Sequence, residues 1–312
     1  YRVTVYPFNT QYFHRSGDAS MTSPDSSYPG SDCIAFQGSA IHAVSSANIH
    51  INKVTMVSGY AAVSATTLTR SPHGTMPGVT MAEDGTTMRL FFIRSDGHIG
   101  YYDTTNGTSY TEQSPTINPD PAAIGDGRYF AFMASVSLDR IHTVIYRPDY
   151  RLYEIGLYVL SGSTWSYVSS NIYWQHRVYG FDAVRAPDSR YDILILSAFM
   201  PERPGVKVVG QSAHKIGYAQ QGVLAFKYDR VSNMWSDHYD VDFFDAASWY
   251  QNRTYARATL VNGTIYLFAS SIDGTPGYLH QLSSTRMYTS KDGAFWSQGR
   301  MVWNAPDDHF GV

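Results

Sequence analysis

Four aromatic residues, each followed by a small hydroxyl-bearing residue, recur along the chain: Tyr110-Thr111, Trp165-Ser166, Trp235-Ser236 and Trp296-Ser297. They lie about 55 to 70 residues apart, and each follows a turn signal: Asn106-Gly107, Ser161-Gly162-Ser163, Val231-Ser232-Asn233 and Asp292-Gly293. An ending repeated at that interval calls for like units set side by side, since one unit alone leaves an apolar face uncovered. The fullest copy runs from Arg286 to Trp296. Arg286-Met287-Tyr288-Thr289-Ser290 are strand formers, Asp292-Gly293 is a preferred hairpin pair, and Trp296 opens the next strand.

Between these endings the chain reads as short strands. In residues 79–118, Asp84-Gly85, Asp96-Gly97 and Asn106-Gly107 punctuate a meander of about four strands. Similar sets follow, and Gly or Pro interrupts every candidate helix. Composition agrees: aromatics make up 15%, charged residues only 16%, and Glu occurs only at Glu83, Glu112, Glu154 and Glu202. Exposed helix faces use Glu and Lys heavily, whereas strands favour Tyr, Thr, Val, Ile and Phe. Consecutive four-stranded units of this size are what a β-propeller requires. The expected fold is all-β: a single β-propeller domain over residues 1–312, with about five four-stranded antiparallel blades. The blades fall near 33–63, 79–118, 125–172, 180–243 and 254–303, with residues 1–8 as a ring-closing strand. Six blades are the alternative if residues 1–30 supply more than one strand.

Several function classes drop out. A net charge of −3 without a Lys/Arg-rich run argues against nucleic acid as a partner. No apolar run approaches the 18 or so residues of a membrane-spanning helix, which argues against membrane insertion. There is no phosphate-cradling glycine loop before a helix, no Gly-x-Ser-x-Gly, and no Cys/His cluster. The single cysteine, Cys33, sits in the apolar run Cys33-Ile34-Ala35-Phe36 and reads as a structural thiol. Sequons at Asn106, Asn252 and Asn262 are explained as well by turn chemistry as by glycosylation, since two of them are Asn-Gly pairs.

The segment Ser290-Lys291-Asp292-Gly293-Ala294-Phe295-Trp296 resembles the Asp-box of sialidases and related propellers. It is one residue shorter between Asp and Trp, and Phe295 stands where the family has Thr. Met88-Arg89-Leu90-Phe91-Phe92 followed by Asp96-Gly97-His98-Ile99 looks like the blades of fungal and bacterial sugar-binding propeller lectins. The resemblance implies a propeller and a sugar ligand. In the sialidase family the box is structural and lies away from the active site, so it implies no catalysis. That family's early Arg-Ile-Pro motif is missing, although Arg70, Arg147, Arg185, Arg203 and Arg257 could supply arginines for a substrate carboxylate.

A glycosidase on a five-bladed propeller would need two convergent carboxylates acting as acid and base or nucleophile. The candidates are Glu154, in Leu152-Tyr153-Glu154-Ile155, and Glu202, just after an apolar strand. Asp32 and Asp182, each beside a strand start, are the candidate partners. The bland reading of each is a charge on a solvated face. In the acidic stretch 237–245, Asp240 and Asp242 would point the same way from a strand. They are the only candidate metal ligands, for Ca²⁺, and otherwise no cofactor is implied. A charged strand edge that resists pairing explains the same stretch. Tyr173-Trp174-Gln175-His176-Arg177 and Trp249-Tyr250-Gln251-Asn252-Arg253 both fall between blades. Each pairs aromatics with an amide and an Arg, a set that could stack on a sugar ring and hold its hydroxyls. Trp174, Arg177, Trp249, Tyr250 and Arg253 are therefore the candidate ligand contacts, against blade-to-blade packing as the simpler use of such aromatics.

The leading reading is an extracellular or surface-displayed propeller that binds a glycan or a glycosylated receptor without chemistry. A propeller-type glycoside hydrolase, sialidase-like or five-bladed, is the alternative. A structural component of a viral or cell-surface assembly, with protein partners, is the third.

Overall fold

The computed structural model describes residues 30–45, 48–58, 60–69, 78–94, 96–118, 128–174, 178–200, 220–244, 255–273 and 281–304. The ring-closing strand expected at 1–8 lies outside them. They form five sheets, each a meander in chain order. The first blade is β1 (Gly30–Phe36), β2 (Ser39–Ser45), β3 (Asn48–Val57) and β4 (Tyr60–Thr69). The second is β5 (Val79–Glu83), β6 (Met88–Ile93), β7 (Ile99–Thr104) and β8 (Thr111–Glu112). The third is β9 (Tyr129–Ser137), β10 (Arg140–Arg147), β11 (Leu152–Ser161) and β12 (Thr164–Trp174). The fourth holds β13 (Val178–Arg185), β14 (Tyr191–Met200) and β15 (Gln220–Asp229). Its outer strand is broken into β16 (Met234–Trp235) and β17 (Tyr239–Phe244), both paired with β15. The fifth is β18 (Tyr255–Val261), β19 (Thr264–Asp273), β20 (Gln281–Ser290) and β21 (Arg300–Asn304). These are five four-stranded antiparallel blades of the β-propeller class, and the six-blade alternative has no sixth sheet among the described residues. The single helical turn among those residues is the short 3₁₀ segment Pro148–Tyr150, so no described helix is long and apolar enough to cross a membrane.

The chain divides into two compact units at Tyr173/Trp174, the first three blades in one and the last two in the other. Inside each unit the blades meet face to face, because their central strands are apolar on both sides. In β6, Met88, Leu90 and Phe92 pack with Phe36, Ile41 and Ile51 of the first blade. Phe91 and Ile93 point the other way, to Phe130, Ile141 and Ile145 of the third. In the second unit, Ile193, Ile195, Val223 and Ala225 meet Ala256, Ile265, Leu267 and Tyr288. Each fully buried Ile, Leu or Phe contributes about 1.5–3 kcal/mol relative to an exposed one.

Three of the recurring aromatics serve these seams, and the fourth, Trp235, packs on Tyr228 of its own blade with ring centroids 4.7 Å apart. Trp165 stands edge-on to Phe91 and Tyr101 of the preceding blade, with ring centroids 6.0 and 5.9 Å away. Tyr110 packs on the first seam and Trp296 on that of the second unit. The small residue after the aromatic also has a bonding role. The Ser236 hydroxyl accepts the Lys227 amide at 2.9 Å, and the Ser297 hydroxyl accepts the Thr289 amide at 2.9 Å. Each hydroxyl thus takes an amide of the third strand where the fourth strand begins.

Candidate functional site

The acidic candidates are the first test of a hydrolytic centre. Asp32 lies in β1, an innermost strand. Its Oδ1 accepts the Cys33 amide at 2.8 Å and its Oδ2 the Met81 amide of the next blade at 2.6 Å. Asp182 in β13 repeats the arrangement: Oδ1 accepts the Ala183 amide at 2.9 Å and Oδ2 the Ala258 amide of the next blade at 2.7 Å. Thr80 in β5 does the same without charge, its hydroxyl accepting the Ser135 amide of the third blade at 3.0 Å. All three are clamps between inner strands of neighbouring blades, satisfying amides that would otherwise cost about 1–3 kcal/mol each if left buried and unpaired. Burial pushes the Asp182 carboxyl up, against the Arg257 guanidinium and the two amides that pull it down. Burial and the nearby Asp32 push the Cys33 thiol up to about 11, which suits a structural rather than a nucleophilic thiol.

Glu154 is buried on β11, away from the innermost strands. Its Oε1 accepts the Tyr167 hydroxyl at 2.7 Å, and its Oε2 lies 3.4 Å from Arg147 Nη1. Asp32 and Glu154 belong to the first and third blades, with the second between them. Glu202 lies outside the described residues, as do Arg177, Trp249, Tyr250 and Arg253. Trp174 ends β12, half-buried, beside Tyr173, which is 45% exposed. Asp240 and Asp242 both lie in β17, but the pairing with β15 jumps from Val223↔Asp242 to Leu224↔Asp240. Val241 is therefore an extra residue at a bulge, where the expected alternation assumed a regular strand. Asp240 is exposed, 3.7 Å from His238, and no group of three or more metal-ligating side chains gathers among the described residues.

What the third blade brings together is aromatic. Tyr146 of β10 is paired in register with Tyr129 of β9 on one side and Tyr153 of β11 on the other. Ring centroids are 5.3 and 4.8 Å apart, so three tyrosines form a ladder across three strands. The β10–β11 turn stands at the end of this ladder. Pro148 starts its 3₁₀ segment, and Arg151 closes it in the left-handed region at φ +50, its amide donating to the Pro148 carbonyl at 3.2 Å. The turn lifts Tyr150 to 63% exposure, with the Arg147 guanidinium 4.7 Å from its ring centroid. Arg147 is thus held between an exposed ring and the Glu154 carboxylate. Burial, and Tyr146 beside it, push the Tyr129 hydroxyl above its ordinary value, so it is a neutral donor and acceptor at physiological pH. Such a surface offers ring faces for stacking, phenol hydroxyls, and a cation fixed in place. Sequence reasoning did not single out these tyrosines. The signal was there: Tyr146 and Tyr153 flank the Pro148 turn at positions that pair when the turn closes.

No family model and no curated sequence matches the chain. Its likeness to solved structures is one of fold, the β-propeller. A triple arginine-to-alanine mutant of AofleA from Arthrobotrys oligospora superposes with a TM-score of 0.55 at 9% identity, over 88% of this chain and 72% of that one. The GH32 β-fructofuranosidase BmSUC1 of Bombyx mori superposes at 0.50 and 11% identity, over 84% of this chain and 60% of the enzyme. The SapL1 lectin, solved with α-methyl fucoside, gives 0.46 at 10% identity, over 84% of this chain and 88% of the lectin. Structural neighbours thus include both a lectin and glycoside hydrolases.

Proposed function

We propose that the chain is a non-catalytic, glycan-binding β-propeller that works in an extracellular or surface-displayed setting. The observation that carries the reading is the third blade's tyrosine ladder, with Arg147 stacked on the exposed Tyr150 at its end. Sugar rings have apolar C–H faces that suit flat aromatic surfaces, and hydroxyls that suit a fixed guanidinium and neutral phenols. Of the carboxylate candidates, Asp32 and Asp182 are, by contrast, engaged in joining blades, and Glu154 in holding Arg147 and Tyr167.

The test is a glycan array probed with the wild-type chain, with Tyr129→Ala/Tyr150→Ala, and with Trp174→Ala and Trp249→Ala. Loss of a defined glycan signal in the tyrosine double variant, with an unchanged melting temperature, is the expected result. Retention of every signal in that variant removes the ladder as the site. Release of reducing sugar from the bound glycans by the wild type overturns the non-catalytic reading.

A further inference from the structure

The fifth blade's outer hairpin borders an open surface cavity of about 340 Å³ lined by Thr264, Thr289, Ser290, Lys291, Asp292 and Phe295. What the fold needs from this hairpin can be separated from what it does not, because the second blade builds the same hairpin from other residues. In the fifth blade the Ser290 hydroxyl accepts the amides of Asp292 and Gly293, at 3.3 and 2.8 Å. Asp292 Oδ1 accepts the amides of Ala294 and Phe295, at 2.9 and 3.1 Å, and Trp296 Nε1 donates to the Gly293 carbonyl at 3.2 Å. In the second blade Thr104 Oγ1 accepts the amides of Asn106 and Gly107, at 3.3 and 2.9 Å. Asn106 Oδ1 accepts those of Thr108 and Ser109, both at 2.8 Å, and the Tyr110 hydroxyl donates to the Gly107 carbonyl at 3.1 Å.

The bonds match one for one, so the hairpin requires Ser or Thr, Asp or Asn, Gly, and an aromatic at fixed offsets. The intervening positions are not needed for these bonds. The second blade fills them with Thr105, Thr108 and Ser109, and the fifth with Lys291, Ala294 and Phe295. Two of the fifth blade's three line the cavity. Phe295 is 83% exposed, an arrangement with no folding benefit for so large an apolar ring. Lys291 Nζ donates to Thr264 Oγ1 at 2.6 Å and to the Gly263 carbonyl at 3.3 Å, two of its three N–H groups, and is fixed at the rim. Although burial opposes it, the amides of Phe295 and Ala294, the Ser290 hydroxyl and the charge of Lys227 hold the Asp292 carboxyl below its ordinary value. It is therefore ionised and accepts bonds. Its hairpin bonds all go to Oδ1.

We propose that this cavity is a saccharide subsite for one neutral pyranose ring, stacked on Phe295, with adjacent hydroxyls bonded to the Lys291 ammonium and Asp292 Oδ2. A cation and an anion at one rim suit vicinal hydroxyls, which both donate and accept, better than they suit a charged sugar. The inference rests on the reading that the chain binds glycans, and adds a second place where it does so.

Saturation-transfer NMR and titration with methyl α-fucoside, methyl β-galactoside and methyl β-glucoside test it on the wild type, Phe295→Ala, Lys291→Met and Tyr129→Ala/Tyr150→Ala. Because Phe295 is exposed and the two Lys291 bonds to Thr264 and Gly263 lie at the surface, both variants keep a melting temperature within a few degrees of the wild type. At least one glycoside is expected to bind about tenfold more weakly to Phe295→Ala, the loss that goes with an aromatic contact. Lys291→Met is expected to weaken the same glycoside, and the tyrosine double variant to leave that binding in place. Unchanged affinity in both hairpin variants, with loss confined to the tyrosine variant, overturns the subsite and leaves the proposed function standing. Failure of the wild type to bind any of the three glycosides overturns the subsite for neutral pyranoses, and an array without signals overturns both readings.

Discussion

Replacing Gly293 by Ala probes whether the outer hairpin is a device for joining blades. Gly293 has φ +75 and is buried against the fourth blade. A Cβ built there would lie 2.8 Å from Cγ1 and 2.9 Å from Cγ2 of Ile193, and would also crowd its Cδ1. Ile193 is fully buried in the first half of β14, so the clash involves the body of a β-branched side chain and cannot be relieved by moving a flexible tip. Two terms add. An L-residue in the left-handed region costs about 1–2 kcal/mol. Forcing an extra carbon into a packed seam costs about a further 1–3 kcal/mol. Gly263 in the same blade supplies the control, with φ +68 and nothing within 4 Å of its Cβ position. Gly263→Ala should therefore show the conformational term alone. The measurement is the urea midpoint and melting temperature of both variants. Gly293→Ala should be the less stable by about 1–3 kcal/mol, or several degrees of melting temperature for a unit of this size. If Gly293→Ala loses no more than Gly263→Ala, the hairpin does not press on the neighbouring blade and the account of the seam fails.

Two further outcomes follow from the same geometry. Because burial raises the Asp182 carboxyl above its ordinary 3.8, the folded chain takes up this proton before the unfolded chain does as pH falls. Its contribution to stability therefore declines as pH rises from about 4 through the raised value. The stability of the wild type relative to Asp182→Asn should fall over that window in urea titrations; a flat or rising difference contradicts the assignment. The outer strand β4 is ten residues long, uncharged, mostly exposed and regularly paired with β3, and it displays Tyr60 and Val63 at 80% and 64% exposure. Such an edge is a template for strand pairing, so Val63→Lys should raise the concentration at which light scattering detects self-association without moving the melting temperature. Unaltered association would show that β4 is not the sticky edge.

The blade framework was legible because its signals are local. Asp96-Gly97, Asn106-Gly107 and Asp292-Gly293 each place a glycine at positive φ where a turn needs one. The pairs Trp235-Ser236 and Trp296-Ser297 mark fourth strands because the aromatic packs on the apolar body of the blades, Trp235 against Tyr228 and Trp296 on the seam, and the serine accepts an amide of the third strand. The roles of Asp32 and Asp182 were not legible. Their bonds to Met81 and Ala258 span 49 and 76 positions, and no local pattern distinguishes an acceptor for a distant amide from a catalytic carboxylate. The tyrosine ladder was hidden for a related reason. Abundant tyrosine announces aromatic surface, but only the register of β9, β10 and β11 decides that Tyr129, Tyr146 and Tyr153 stand in one row. The bulge at Val241 likewise depends on β15 and left no mark in the alternation of Asp240 and Asp242.

Repetition inside one chain also sorts structural from functional side chains where sequence alone does not. At the inner-strand clamp the residue changes from Asp32 to Thr80 to Asp182 while the bond to the next blade persists. A position whose identity varies around a constant bond is serving the fold, and charge there is incidental to it. At the outer hairpin Ser109 gives way to Phe295, while the backbone bond at that position, amide to the Asn106 or Asp292 side chain, stays as it was. A position whose side chain is free of the common bonds, and filled in one copy by a large ring in solvent, is not fixed by the hairpin's own bonding. The same distinction separates Glu154, held by Tyr167 and Arg147 within its blade, from Tyr150, which its turn holds out in solvent. By this criterion Asp32, Asp182 and Glu154 take part in the architecture. The exposed aromatics at Tyr150 and Phe295 are where a ligand would meet the chain.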